Sequence, residues 1–191
     1  MYKFCEASPQ HLIDGYTVDT KSSFICKKML EIFNCLDAKK YLLPSITCHV
    51  KNESFEDALQ VIWELKKSKS ADKEADDALK YLLYLIDINL LYNVALGLYD
   101  YQLVMYVAQK SQKDPKEYVP FLQQLSKLDQ AYAKFKIDCF LKRFPRAVQH
   151  IAPLCENDEK MLEECMELVK KHSLFEAAMK AFSDDLNAYK K

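Results

Sequence analysis

Two glycines in 191 residues are the strongest constraint on how this chain can fold. Glycine makes up about seven per cent of ordinary domains, where it supplies the positive-φ turns of sheets and the loops that cradle phosphates at helix N-termini. With 50% of its residues hydrophobic, the chain still has a sizeable core to bury. It must bury that core with few tight turns, which points to helices and away from sheets and nucleotide-binding loops.

The periodicity agrees. From Asp19 onward, apolar residues recur at i, i+3, i+4 and i+7, the spacing of helices that bury one face. Ala75, Leu79, Leu82, Leu83 and Ile86 form one stripe, and Tyr118, Phe121, Leu122, Leu125 and Leu128 another. Met161, Cys165, Met166 and Val169 form a third. No stretch alternates with period two for long enough to be a strand. Residues 1–18, with Pro9, Gly15 and few apolar repeats, read as a loop or disordered lead-in, and residues 19–191 as the helical part.

The punctuation is helical too. Asp114-Pro115-Lys116-Glu117 places an acidic N-cap, a proline at the first helical position and a glutamate at the third, which predicts a helix start with a capping box. Pro120, one turn further in, removes a backbone bond to residue 116 and predicts a bend. Phe144-Pro145 marks another boundary, because a residue before proline is pushed out of the α region. Residues 68–73, Ser-Lys-Ser-Ala-Asp-Lys, read as a polar linker between helices.

An aromatic residue is followed three positions later by alanine and then an aliphatic in four places: Phe55-x-x-Ala58-Leu59, Tyr92-x-x-Ala95-Leu96, Phe144-x-x-Ala147-Val148 and Phe175-x-x-Ala178-Met179. Leu91-Tyr92-x-x-Ala95-x-x-x-Tyr99 further parallels Leu174-Phe175-x-x-Ala178-x-x-x-Phe182. A small alanine lets two helix backbones approach, and the flanking aromatics fill the wedge between successive helices. Units of this kind stack on their neighbours, as in an all-α solenoid of irregular TPR-like repeats. The uneven spacing excludes a repeat of fixed period, and a single irregular helical bundle with chance matches stays open beside the solenoid.

Charge narrows the partners. Twenty-seven basic and 28 acidic side chains give a formal charge of -1, with no global drive toward nucleic acid or anionic membrane. No apolar run approaches the roughly 20 residues a membrane helix needs, and Met1 to Gln10 has neither the basic nor the apolar region of a secretory signal. The seven cysteines, Cys5, Cys26, Cys35, Cys48, Cys139, Cys155 and Cys165, are odd in number and form no C-x-x-C. Reduced thiols in a cytosolic or nuclear compartment follow.

Few residues suggest chemistry. His11, His49, His150 and His172 stand in no metal-ligand frame, and adjacent Cys48 and His49 point about 100° apart on a helix, so they cannot share an ion. Cys139 and His150 could serve as nucleophile and base, but no glycine-rich oxyanion loop or third orienting group accompanies them. A helix-packing cysteine and a surface histidine are the simpler reading. Glu156, Asp158, Glu159, Glu163, Glu164 and Glu167 read as a solvated face at a helix N-terminus, where negative charge offsets the dipole. Trp63 reads as core in preference to a partner-binding anchor. The contact candidates are Lys142, Arg143 and Arg146, near Phe140 and Phe144. They could meet RNA phosphate or a partner's acidic patch, or cap the carbonyls at a helix end.

Several runs are specific enough to carry a resemblance. They are Asp76-Asp77-Ala78-Leu79-Lys80-Tyr81-Leu82-Leu83-Tyr84-Leu85-Ile86-Asp87, the stretch from Tyr99 to Leu122 with its Ser111-Gln112-Lys113-Asp114-Pro115-Lys116-Glu117-Tyr118, and Phe135-Lys136-Ile137-Asp138-x-x-Leu141-Lys142-Arg143-Phe144-x-x-Ala147. With Leu42-Leu43-Pro44-Ser45-Ile46-x-x-His49-Val50, they closely resemble the middle of the largest, scaffold subunit of the Elongator complex, the IKAP family, over residues 20–183.

That resemblance implies N-terminal β-propellers followed by a helical solenoid. It implies a scaffold that holds another subunit, which modifies the wobble uridine of tRNA at its 5-position (5-carboxymethyluridine type) with acetyl-coenzyme A and a radical S-adenosylmethionine centre. For this chain it implies no enzyme activity, no catalytic residue, no cofactor and no metal. The implied partners are the other Elongator subunits, including the catalytic one, with tRNA met only indirectly, no membrane contact, and a cytoplasmic and also nuclear location. The family's dimerisation region and basic tRNA-contacting segment lie further toward the C-terminus. The rival expectation is a helical RNA-binding module that contacts tRNA directly. The chain departs from the family by its shortness. Its final residues, Asp184 to Lys191, fall where the solenoid would continue, so an uncapped apolar face and self-association are expected.

Overall fold

The computed structural model describes residues 18–36, 39–68, 71–155 and 158–188, with side chains from 21 to 183. Every regular element among the described residues is helical. The order is α1 (Val18–Cys35), α2 (Leu42–Lys51), α3 (Phe55–Lys67), α4 (Asp72–Leu85), α5 (Ile88–Leu96), α6 (Tyr101–Lys110), α7 (Pro115–Ser126), α8 (Gln130–Phe140), α9 (Phe144–Ile151), a 3-10 turn (Ala152–Leu154), α10 (Glu159–His172) and α11 (Phe175–Ala188). The lead-in predicted for residues 1–18 lies outside the described residues except for Val18, where α1 begins. The chain divides into two compact units, Met1–Ile88 and Asn89–Lys191.

In the first unit, α2 packs on α1, α3 and α4, and α3 packs on α4. Ile46, Leu59, Ile62, Leu79 and Leu82 are fully buried at the centre, each contributing roughly 1.5–3 kcal/mol by leaving water. The α4 stripe lands as its spacing predicts: Ala75, Leu79, Leu82 and Ile86 are buried and Leu83 is half-buried. Polar ties reinforce the packing. The Thr47 and Tyr81 hydroxyls share a hydrogen bond of 2.9 Å, and Lys66 on α3 pairs with Asp72 and, at 3.0 Å, with Asp76 on α4. The polar linker falls between α3 and α4, with residues 69 and 70 outside the described set. Trp63 is half-buried, with Lys67 Nζ 5.0 Å from its ring centroid.

In the second unit, α6 packs on α7, α7 on α8, and α8 closely on α9, which also receives α10 and α11. Phe135, Val148, Ile151, Cys165 and Val169 form one buried cluster there. Asp114 caps α7 as predicted, its side chain accepting the Lys116 N–H at 2.9 Å with Pro115 at the start of the helix. The Glu117 carboxylate, 3.7 Å from Lys113 Nζ, forms an ion pair there. Pro120 lies inside α7. Two stripe members are misplaced by periodicity alone. Leu128 is exposed because α7 ends at Ser126, and Met166 is exposed because it lies about 100° around α10 from buried Cys165. Pro145 sits in the first turn of α9, so the boundary at Phe144-Pro145 is a helix start, made by the turn just before it.

Those turns show how helices end with so little glycine. Glu53, Gln112, Lys142 and Ser173 all take left-handed backbone angles, with φ between 54° and 58°. In each case the next residue donates its N–H back five positions: Ser54 to His49 O, Lys113 to Ala108 O, Arg143 to Asp138 O and Leu174 to Val169 O. This is the Schellman closure, in which glycine is the usual left-handed residue. Three of the turns lead straight into an aromatic at the first position of a helix, Phe55, Phe144 or Phe175. The alanine three residues on then faces the neighbouring helix, with Ala58 and Ala147 fully buried and Ala178 half-buried. Three of the four aromatic-x-x-alanine copies are therefore one structural unit. The Tyr92 copy is not, because Tyr92 is the fifth residue of α5. Its wider parallel fails too, since Tyr99 follows a helix whereas Phe182 lies within α11.

Candidate functional site

The Lys142-Arg143-Arg146 cluster sits on the tight turn between α8 and α9. Lys142 occupies the left-handed position and is exposed, Arg143 is half-buried, and Arg146 is exposed on the first turn of α9. The α8 carbonyls are reached by backbone N–H groups, Lys142 to Cys139 O at 3.1 Å and Arg143 to Asp138 O at 2.8 Å.

Arg143 and Arg146 turn toward a polar cluster that the sequence did not reveal. Its centre is Asp138 on α8, a fully buried carboxylate. The Tyr99 hydroxyl, from the turn after α5, donates to Asp138 Oδ2 at 2.8 Å, and His150 Nε2 on α9 lies 3.4 Å from the same oxygen. Asp138 Oδ1 has no hydrogen-bond partner among the described residues. Three segments, the α5–α6 turn, α8 and α9, therefore meet on one carboxylate.

The surroundings are cationic. Lys134 Nζ lies 5.4 Å from the Tyr99 ring centroid and the Arg146 guanidinium carbon 5.9 Å, both close enough for cation–π attraction. His150 meets the same ring edge-on, at 5.6 Å between centroids. The Arg143 guanidinium lies against Gly97, where a Cβ would come within 2.5 Å of Nη1 and the flexible arginine would have to shift. Burial, with the hydrogen bond to Asp138 next in size, pushes the Tyr99 phenol up to about 12. Burial also lowers the His150 pKa, with Asp138 opposing and Lys134 and Arg146 adding to the effect.

This arrangement holds segments together and is poorly suited to covalent chemistry. Cys139 does not form a nucleophile with His150: burial pushes its thiol up to about 11, and His150 turns to Asp138 and Tyr99. Cys48 is likewise a buried thiol, pushed up to about 11 by burial first and then by Cys26. Among the described residues, no three His, Cys, Asp or Glu side chains gather as a metal site. The acidic group splits in role. Asp158 caps α10 through the Lys160 N–H at 2.9 Å, whereas Glu164 turns inward to Lys136 and to the Tyr132 hydroxyl at 2.8 Å. Glu156 lies outside the described residues. Asp138 carried one available signal: it follows buried Phe135 by three residues, a carboxylate on the apolar stripe of its helix.

Comparison with known proteins gives this geometry a context. A family model described as "ELP1 alpha-solenoid" matches residues 1–125. Elongator complex protein 1 of Drosophila melanogaster is 45% identical over 170 residues, covering 89% of this chain and 13% of that protein. Elongator complex protein 1 of Oryctolagus cuniculus is 40% identical over 176 residues, 90% of this chain and 13% of that protein. The protein of the same name from Saccharomyces cerevisiae is 35% identical over 170 residues, 87% of this chain and 12% of that protein. The chain thus spans about an eighth of the length of these relatives. With the family model over more than half of its residues and an all-helical architecture to match, the chain belongs to the ELP1 alpha-solenoid family.

Proposed function

We propose that this stretch is a non-catalytic scaffold segment of an Elongator-type complex and acts through protein–protein contacts. The observation that carries the reading is identity of 35–45% across nearly the whole chain to proteins named Elongator complex protein 1. In this reading the segment supports modification of the tRNA wobble uridine at its 5-position, while the chemistry and its cofactors belong to another subunit. Its partners are the other Elongator subunits, and tRNA is met only through them. The free thiols Cys48, Cys155 and Cys165, all buried, suit a cytoplasmic or nuclear setting. No helix among the described residues is long and apolar enough to cross a membrane.

Within the basic cluster the roles divide. Arg143 supports the interior beside Gly97, whereas Lys142 and Arg146 are exposed and form the surface for an acidic partner patch.

The test is capture of the tagged chain with the remaining Elongator subunits, alongside a Lys142→Glu/Arg146→Glu variant. Capture of at least one subunit, weakened in the variant, is expected. Capture of none removes the assembly role. Binding of tRNA by the chain alone, falling steeply with salt, replaces the reading with direct RNA recognition.

A further inference from the structure

Two thiols face each other across the contact between α1 and α2. Phe33 on α1 stacks on Tyr41, the residue just before α2, with ring centroids 5.1 Å apart. Cys26 lies seven residues back along α1 and Cys48 seven residues on along α2, about two helical turns in each case. In an antiparallel pair that register sets the two cysteines side by side, and their thiols share a hydrogen bond. Ser22 and Asn52, one turn further along, keep the same register and line a cavity of about 630 Å³. Ser23, Thr47 and Lys51 line it too, so water and small polar solutes have a wet space at the edge of the thiol pair.

The two cysteines are not equivalent. Cys26 is half-buried, whereas Cys48 is 5% exposed, so a reagent coming from solvent meets Cys26 first. Cys35 does not compete for it, because nine residues at about 100° each place it on the opposite side of α1. Cys155 and Cys165 in the second unit are also hydrogen-bonded to each other, but they are 8% and 0% exposed and closed to solvent. Access thus separates the first pair from the second.

We propose that Cys26 and Cys48 are a peroxide-sensitive dithiol that closes to a disulfide and clamps α1 on α2. The Cys26 sulfur attacks hydrogen peroxide and breaks its O–O bond, taking one hydroxyl as a sulfenic acid while the other oxygen leaves as water with the thiol proton. The Cys48 sulfur then attacks the Cys26 sulfur, the S–O bond breaks, and the hydroxyl leaves as a second water with the Cys48 proton. Two thiols lose two electrons, and one peroxide is reduced to two waters. A thiol reductant reverses the step, so in a reducing compartment the resting state is the free pair. The bond closes a loop of about 22 residues and removes freedom from the opened chain, which holds α1 in place.

The experiment treats the full 191-residue chain, reduced and folded, with hydrogen peroxide, blocks the remaining thiols and maps tryptic peptides without reduction. Cys26 and Cys48 fall on separate single-cysteine peptides, Ser22–Lys27 and Tyr41–Lys51, so their link is read directly as one species lighter by two hydrogens. That link should form while Cys155 and Cys165 stay thiols, and dithiothreitol should remove it. Hydrogen exchange of the α1 amides should slow at least about tenfold in the linked chain and return on reduction. Cys48→Ala, checked for folding by circular dichroism, should stop at a Cys26 sulfenic acid that dimedone traps, and Cys26→Ser should leave Cys48 a thiol. Cys26 linked to Cys35 instead, Cys26 carried on to sulfinic acid beside an unchanged Cys48, a link that forms only in urea, or α1 exchange unchanged by the link would each overturn the proposal.

Discussion

Replacing Asp138 with alanine should be among the most damaging single changes in the second unit. The carboxylate is fully buried and accepts the Tyr99 hydroxyl at 2.8 Å, a hydrogen bond to a charged acceptor worth about 1.5–3 kcal/mol. Removing one member of a buried polar set costs about 3–5 kcal/mol when the rest stays desolvated. Here the lower end applies, because the His150 side chain is 27% exposed and Arg146 is open to solvent. The expected loss is about 3 kcal/mol, or roughly 6–12 °C in melting temperature for a domain of this size. Asp138→Asn keeps an acceptor for Tyr99 but gives up the charge, and should cost about 1–2 kcal/mol. Thermal and urea unfolding followed by circular dichroism measure both, and a double-mutant cycle with Tyr99→Phe should show a coupling of about 1–2 kcal/mol. If Asp138→Ala and Asp138→Asn both stay within about 0.5 kcal/mol of the parent, the carboxylate does not hold these segments and the reasoning fails.

Three further outcomes follow from the structure. Lys142→Gly should raise stability by about 0.5–1 kcal/mol, because it relieves a left-handed lysine at φ 58° that glycine adopts without penalty; a melting point at or below the parent's would contradict this. The Tyr99 phenol is raised from 10 to about 12 in the folded state, so its contribution is complete below pH 10 and is lost as pH rises toward 12. Spectrophotometric titration should show one tyrosine ionising late, and Asp138→Asn should bring it earlier. Exposed Cys35 should be alkylated first at pH 8, whereas buried Cys48 and half-buried Cys139, both pushed up to about 11, should react far more slowly until the chain unfolds. Mass spectrometry of a timed iodoacetamide reaction would detect the opposite order.

How far the fold could be read ahead depended on what each signal rests on. Periodic burial and helix capping are local, so the α4 stripe and the Asp114 N-cap could be read from spacing alone. The turns could not, because their left-handed positions carry Glu53, Gln112, Lys142 and Ser173 where glycine would have announced them. Scarcity of glycine thus pointed to helices while hiding where they end. The aromatic-x-x-alanine pattern was informative where a turn precedes it and misleading at Tyr92, since three residues of spacing do not tell the first turn of a helix from its middle. The basic cluster was found from Lys142, Arg143 and Arg146, yet its anchor was not. Tyr99, Asp138 and His150 are 39 and 12 residues apart along the chain, and only tertiary packing brings them together.

The most direct measurement places the Asp138→Ala change in a full-length protein of this family that carries this stretch, in a cell, and counts two quantities together: assembled complex, and 5-modified wobble uridine in tRNA. If this stretch is a scaffold without chemistry of its own, both fall in proportion, and modification per assembled complex stays at the parent value. Modification that falls while assembly holds steady would mean that the stretch takes part in the reaction, and would contradict the reading of this chain as a support.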